Sequence, residues 1–375
     1  MSAEFTSLPD LASRAFGSAV VWANDEFFAA KENLINPGPA VFTPSTFTER
    51  GQQYDGWETR RRRPGATAAT GATAGTGAPG AEVATGAEAA TGAEADADAA
   101  IIRLGSPGII CGVVVDTAFF LGNYPPYCSL DAVWCDGYPS PDELASADWT
   151  EIVPAYPLSG GTVHHIPVAT GGRRYSHVRL NILPDGGIAR LRVHGLPVPD
   201  PALLEGLTVN LAALRDGASV LGCSDTFYNR PEKMLMPGEA LNMGDGWENA
   251  RRRDGGNDWV ELALVAEGVV DVLDIDTTHY KGNAPHQAKV SAAAMGEVGA
   301  VPRSRDWFEL LAPTLLQPDT PHRFPIRDGR AVTHLRLDVY PDGGVARFRA
   351  WGGLTPGGAS ALRRRWERAG GLVGG

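Results

Sequence analysis

The segment from His177 to Gly195, HVRLNILPDGGIARLRVHG, and the segment from His334 to Gly352, HLRLDVYPDGGVARFRAWG, share 11 of 19 residues. Chance would leave about one match, so the chain contains an internal duplication and its other motifs are to be looked for twice. After the Pro-Asp-Gly-Gly step, Ala189, Leu191 and Val193 share one face while Arg190 and Arg192 share the other. The second copy repeats this with Ala346, Phe348 and Ala350 against Arg347 and Arg349. A period of two predicts strands with one core face and one cationic face. Pro184-Asp185-Gly186-Gly187 reads as a hairpin loop whose glycines supply the φ > 0 conformations such a turn needs.

Moving outward, GSAVVWANDEFFAAKENLINPG from Gly17 matches GASVLGCSDTFYNRPEKMLMPG from Gly217, an offset of 200. DGWETRRRR from Asp55 matches DGWENARRR from Asp245, offset 190, and VDTAFFLGNYP from Val115 matches IDTTHYKGNAP from Ile275, offset 160. The falling offsets put 30 extra residues in the first copy between its second and third motifs. That interval holds residues 65–100, a run of Ala, Gly, Thr and acids with Val83 as its one larger aliphatic. Such a run buries too little apolar surface to offset the entropy of ordering it, which predicts a disordered surface insertion. The expected organisation is a first repeat over 14–198, a Pro-rich, partly helical linker over 199–213, a second repeat over 214–355, and a tail over 356–375 containing a short basic helix.

Composition narrows the class. The chain has 375 residues, 43% hydrophobic, with 33 Lys and Arg against 44 Asp and Glu. The acidic balance is unsuited to phosphate backbones, so no nucleic-acid partner is expected. No window is apolar enough to span a membrane, and the opening MSAEFTSLPDLASR lacks a basic n-region and an apolar h-region, so a cytoplasmic location is expected. Four cysteines without C-x-x-C or dense pairing fit a reducing compartment. Forty-six glycines, 28 prolines and short β-branched alternating runs favour an all-β chain, read as two tandem jelly-roll β-sandwiches.

Two doubled motifs carry polar chemistry. In D-G-W-E-x-x-R-R-R (Trp57, Glu58, Arg61, Arg62 and Arg63; Trp247, Glu248, Arg251, Arg252 and Arg253), guanidinium forks suit a carboxylate and a nearby Glu suits proton transfer. The same residues also make a turn, a core Trp and an internal ion-pair network. In D-T-x-x-x-x-G-N (Asp116 and Asn123; Asp276 and Asn283), an apolar strand runs into a carboxylate and a turn at a sheet edge, within reach of a ligand. The alternative is a turn held by Asx and Thr hydrogen bonds. His279 stands where the first copy has Phe119, so proton transfer or metal ligation at that position belongs to one repeat only. The matched pairs His177/His334 and His164/His322 read as structural. No metal-binding His or Cys cluster, nucleophile elbow or nucleotide loop is encoded.

Taken in order, FFAAKENLINPG, DGWETRRRR, VDTAFFLGNYPP, NMGDGWENARRR, NDWVEL, DTTHYKGNAP and the paired PDGG segments resemble the allantoicase family. The resemblance covers the chain apart from the insertion and the tail. It implies a hydrolase of purine (allantoin) catabolism, an amidinohydrolase that converts allantoate and water to ureidoglycolate and urea, on two jelly-roll domains of galactose-binding-like type. The chain departs from the family pattern at Phe119, where His is expected, and at Asn257-Asp258-Trp259, whose first-copy counterpart is displaced by the insertion.

On this resemblance, Glu248, Asp276 and His279 are the catalytic candidates. Glu248 or His279 would protonate departing urea, and Asp276 would orient water. Arg251, Arg252, Arg253, Asn283 and Trp247, with Glu58, Arg61, Arg62, Asp116 and Asn123 of the first copy, are the substrate-binding candidates, an arginine taking the carboxylate. No cofactor carries over, and Asp-rich loops leave room for a labile divalent metal. Symmetric self-association into a homo-oligomer is expected. A non-catalytic ligand-binding sandwich and another ureido or amidine hydrolase of the same pathway are the competing readings.

Overall fold

A computed structural model describes residues 4–62 and 97–370. Arg63, residues 65–96 of the insertion and the last five residues of the tail lie outside the described residues. The first repeat contains β1 (Ala19–Ala23), the short β2 (Phe47–Thr48), β3 (Gly51–Gln52) and β4 (Trp57–Glu58), then β5 (Asp98–Asp116) and β6 (Tyr127–Val133). It continues with α1 (Pro141–Ala145), β7 (Thr150–Pro157), β8 (Val163–Pro167), β9 (Arg174–Leu183), β10 (Gly187–Ile188) and β11 (Arg190–Pro197). The second repeat contains β12 (Val209–Asn210), β13 (Ser219–Cys223), β14 (Asp258–Asp276), β15 (Gln287–Ala293), β16 (Phe308–Leu315), β17 (Pro321–Pro325), β18 (Ala331–Tyr340) and β19 (Arg347–Leu354), and α2 (Pro356–Ala369) follows.

Each repeat is organised by one long bent strand. The first half of β5 pairs with β1 and β9, and β6 and β7 extend that sheet. Its register shifts between Arg103 and Gly108, after which the second half pairs with β11 and β8 in the facing layer. A bulge that bends a strand lets it serve both sheets of a sandwich. β14 does the same, with β13 and β18 before the shift between Ala263 and Gly268 and with β19 and β17 after it. Between the layers lie Ile102, Val113, Leu180, Leu191 and Val193 in the first repeat and Leu262, Leu273, Leu337 and Phe348 in the second, all buried. Their alternation is the predicted two-residue period, and both repeats are the expected β-sandwiches.

Several boundaries and one turn differ from the sequence reading. The strand β5 begins at Asp98, so the expected edge of the insertion at 100 falls inside an ordered strand. β12 pairs with β19, which puts Val209 and Asn210 in the second sandwich rather than in a linker. Phe5, Leu11 and Ala12 are buried, and Asp10 bridges to His194, so the first sandwich begins before residue 14. The Pro-Asp-Gly-Gly segment is not a hairpin: β9 and β11 lie in opposite layers and do not pair. Its glycines are needed mainly for packing. A Cβ on Gly186, which has φ 141°, would lie 2.7 Å from the Pro125 nitrogen, and one on Gly187 or Gly344 would enter the ring of Phe120 or Tyr280.

The tail helix α2 is integral to the fold. Leu362 packs with Leu204, Ala218 and Val265, and Trp366 reaches the other repeat. There the Trp134 and Trp366 rings meet edge-on at 5.1 Å and the Arg174 guanidinium lies 4.4 and 3.6 Å from their centroids, a cation–π cluster joining the repeats. No helix among the described residues is long and apolar enough to cross a membrane.

The paired histidines are structural. His164 takes the Ser159 N–H at 3.0 Å on Nε2, with Nδ1 3.1 Å from the Val115 carbonyl, and His322 repeats this with Gln317 and Ile275. His177 and His334 are buried beside the Ser176 and Thr333 hydroxyls, at 2.9 and 2.8 Å. Burial, helped by the Arg103 charge, holds His177 down at a pKa of about 4.

Two predictions follow from this packing. Gly344→Ala forces the Tyr280 ring to move and is expected to cost about 1–3 kcal/mol, read as a lowered Tm. His177 has a folded-state pKa below its unfolded value, so its contribution is complete above about pH 6.5 and is lost as pH falls toward 4. Denaturant titrations should therefore show stability declining through that window, and His177→Gln should flatten the decline.

Candidate active site

The Asp-Gly-Trp-Glu loops are placed by buried charge. Arg190 and Arg347, 3% and 2% exposed, pair with Asp55 at 2.6 Å and Asp245 at 3.0 Å. Arg190 also donates to the carbonyls of Gly38, Asp55 and Ala189, and Arg347 to those of Gly238, Asp245 and Ala346. The expected cationic face is therefore in part an internal clamp, and these arginines carry structure that the alternation alone could not reveal. Burial raises the Asp55 carboxyl, but the hydrogen bonds from Arg190 and the Val41 N–H outweigh it and hold the group below its ordinary range.

Trp57 and Trp247 are fully buried and donate their indole N–H to the Asp25 and Asp225 carbonyls at 2.7 and 3.0 Å. Trp247, expected to bind substrate, is thus core. The arginine run is divided. Arg62 and Arg252 pair with Asp98 and Asp258 at 2.8 and 2.6 Å, the two carboxylates that open the bent strands. Both carboxylates are buried, so these arginines neutralise strand ends rather than wait for a substrate. Arg61, Arg251 and Arg253 are exposed and make no ion pair among the described residues.

The two doubled motifs meet at one point in each repeat. Asn123 donates its side-chain N–H to Glu58 Oε1 at 2.7 Å across 65 residues, and Asn283 donates to Glu248 Oε1 at 2.5 Å across 35. The geometry is backed from behind. β10 pairs Gly187 with Glu58, and the Gly187 N–H donates to the Asn123 carbonyl at 2.8 Å, as the Gly344 N–H does to Asn283. Burial pushes the Glu58 carboxyl above the ordinary Glu range, and the Asn123 amide pulls it only part of the way back. A carboxyl raised in this way keeps its proton to higher pH than an exposed Glu, the direction a proton donor needs.

Asp276 and His279 are not brought to Glu248 by any hydrogen bond. Asp116 and Asp276 each accept the N–H two residues on, from Ala118 and Thr278, at 2.8 Å. Thr117 and Thr277 donate to the Ser159 and Gln317 carbonyls at 2.6 Å, completing the Asx and Thr turn network. His279, at φ 74°, places Nε2 2.8 Å from the Ala240 carbonyl and takes Asp319 on its backbone N–H. Phe119 has nearly the same backbone, φ 70°, and stacks on Phe42 at 5.5 Å. The exchange of Phe for His therefore accompanies a change in the loop above it, which in the first copy is longer and carries β2 and β3.

Two cavities lie on the same repeats, neither of them lined by Glu58, Asn123, Glu248 or Asn283. One of about 320 Å3 lies in the first repeat against Asn33, Val41, Thr43, Tyr54 and Asp55. Another of about 440 Å3 lies between the repeats, with Asp10, Arg192 and His194 on one wall and Arg230, Lys233 and Asp245 on the other. The inter-repeat wall was missed from sequence because it joins residues of both copies, although Lys233 itself donates to Asn229 and the Gly244 carbonyl of its own repeat. Among the described residues no three His, Cys, Asp or Glu side chains converge to hold a metal ion. The four cysteines are free, and burial pushes the Cys128 thiol up to about 12, far from a reactive thiolate.

A family profile described as the allantoicase repeat matches residues 9–198 and 209–355. A probable allantoicase of Nocardia farcinica is 48% identical over 356 residues, covering 93% of this chain and 95% of the relative. One from Streptomyces coelicolor is 44% identical over 370 residues, covering 98% and 91%. Among solved structures, allantoicase from Saccharomyces cerevisiae superposes with a TM-score of 0.69 at 30% identity, over 93% of this chain and 96% of that one. Two matched repeats, relatives aligned over almost their whole length and a shared two-sandwich structure lead to one conclusion: the chain belongs to the allantoicase family.

Proposed function

We propose that this chain hydrolyses allantoate to ureidoglycolate and urea, and that the Glu–Asn pairs are the centres of that chemistry. Family membership supports the reaction, and the observation that carries the site is the same Glu–Asn hydrogen bond built in both repeats. Allantoate has a central carbon bearing a carboxylate and two ureido nitrogens. Breaking one C–N bond requires a proton on the departing nitrogen, while the lone pair of the other nitrogen stabilises the imine-like carbon. Water then adds to that carbon and loses its proton, so that urea and ureidoglycolate account for all the atoms.

Glu58 is the proton donor in this reading, because its carboxyl is raised by burial and one oxygen is held by Asn123. Glu248 with Asn283 is the equivalent group in the second repeat. The unpaired arginines of the run, Arg61 in the first copy and Arg251 and Arg253 in the second, take the carboxylate as bidentate partners. His279 and Asp276 are positioning residues that hold the loop and turn around Glu248. No step is assigned to a metal ion.

Urea release from allantoate tests the assignment. Glu58→Gln combined with Glu248→Gln is expected to lower kcat about 100-fold or more while allantoate still binds. Retention of full turnover by this double variant, folded, would reject the Glu–Asn centre. Asn123→Ala removes the donor that favours the ionised Glu58, so the alkaline limb of the pH–rate profile should move to higher pH. Turnover is expected to survive exhaustive chelation. Loss that returns on adding a divalent cation would instead bring the labile metal into the mechanism.

A further inference from the structure

The cavity of about 440 Å3 between the repeats takes no part in the Glu–Asn centres, and its volume is that of a small-molecule pocket. Much of its lining is apolar, from Leu8, Pro9 and Phe16 of the first repeat and Leu214 and Met236 of the second. Charged groups interrupt this lining, and each acid among them already has a cation. Glu232 pairs with Arg230 at 2.9 Å, Asp245 with Arg347 at 3.0 Å, and Asp10 Oδ2 lies 3.5 Å from Arg192 Nη1. Lys233 differs. Its ammonium donates to two neutral acceptors, Asn229 Oδ1 at 2.8 Å and the Gly244 carbonyl at 2.6 Å, and among the described residues no carboxylate pairs with it. Once the ion pairs are counted, one positive charge is left on the wall, with a third N–H to give.

Arg192 supplies a second unused donor. Its Nη2 donates to the Pro37 and Gly38 carbonyls at 3.1 Å, but Nη1 is buried and makes no hydrogen bond. Burial pushes the Asp10 carboxyl up and the Arg192 guanidinium down in spite of their attraction, so the two do not satisfy each other. Nor does the backbone demand a carboxylate at position 10. Asp10 Oδ1 accepts the Ala12 and Val193 N–H groups, and in the second repeat the neutral Asn210 accepts those of Ala212 and Ala350 in the same way. The charged form stands in the copy of this wall that the other repeat encloses. An anion in the cavity would give Arg192 Nη1 the acceptor it lacks and Lys233 a counter-charge.

We propose that the cavity between the repeats binds a small organic carboxylate, its charged end held by Lys233 and Arg192 and its apolar part packed among Leu8, Phe16 and Met236. The occupant touches both repeats and the Asp245 turn that precedes Glu248.

Equilibrium dialysis of the purified full chain against radiolabelled benzoate, at constant ionic strength, tests this without any readout of turnover. One benzoate is expected per chain. Benzamide, the same shape without the charge, should compete about tenfold more weakly or worse. Lys233→Met should weaken benzoate to the level of benzamide. Ala15→Trp, at an exposed position on the cavity wall, should block both by filling the space. Arg61→Ala combined with Arg251→Ala and Arg253→Ala should leave benzoate binding unchanged, which separates this site from the one proposed for allantoate. An unchanged circular dichroism spectrum verifies the fold of each variant. No binding at millimolar benzoate, binding that survives both Lys233→Met and Ala15→Trp, or binding lost in the triple arginine variant would each overturn the proposal. Inorganic phosphate displacing benzoate as well as benzoate itself does would overturn the assignment to an organic carboxylate.

Discussion

A nearly buried arginine in each repeat, Arg190 or Arg347, holds together the segments from which the rest of the site is built. Its guanidinium meets one carboxylate, Asp55 or Asp245, and several backbone carbonyls drawn from loops more than 100 residues apart. Removing a guanidinium from water is costly, and an ion pair alone seldom offsets it; the carbonyls occupy the remaining N–H donors and make the burial tolerable. The clamp fixes the Asp-Gly turn, which sets the buried Trp next to it and the Glu one residue further on. Truncating such an arginine would leave the half-buried Asp55 or Asp245 carboxylate without its cation and several backbone carbonyls without their donor.

The second organising constraint is the bent strand. Because β5 and β14 each serve both layers, their last residues deliver Asp116 and Asp276 to the sheet edge where the Gly-Asn turn begins. Their first residues, Asp98 and Asp258, are buried at the other end and take Arg62 and Arg252. The doubled arginine run is thus split by its surroundings: Arg62 or Arg252 neutralises a strand terminus, while Arg61, Arg251 and Arg253 stay in solvent, where a carboxylate can reach them.

Duplication let the copies diverge around a constant centre. The Glu–Asn hydrogen bond and the left-handed residue after the Asp-Thr turn are kept in both repeats. The loop above them is long and aromatic in one and short in the other. Phe119 stacks on that long loop, while His279 is tethered to a carbonyl of the short one. The difference that reads in sequence as a lost catalytic group is, in space, a matched change between a side chain and its lid.

The sequence alone determined the duplication, the strand periodicity, the family and the separate motifs that supply Glu58, Asn123, Glu248 and Asn283, because these depend on local pattern and on self-comparison. Tertiary structure decided what those residues do. Alternation marks Arg179–Val193 as strands but cannot say that its two halves lie in opposite layers, so the Pro-Asp-Gly-Gly crossover reads as a hairpin. Likewise Trp247 reads equally well as a platform or as core, and Arg62 as a substrate clamp or a strand-end partner. Its carboxylate lies 36 residues away, beyond the insertion, and burial of that carboxylate decides between the two. The Glu–Asn contacts span 65 and 35 residues and exist only once the clamp and the bent strand bring two loops within hydrogen-bond range. Side-chain chemistry is local to the sequence, whereas desolvation and partnership belong to the fold.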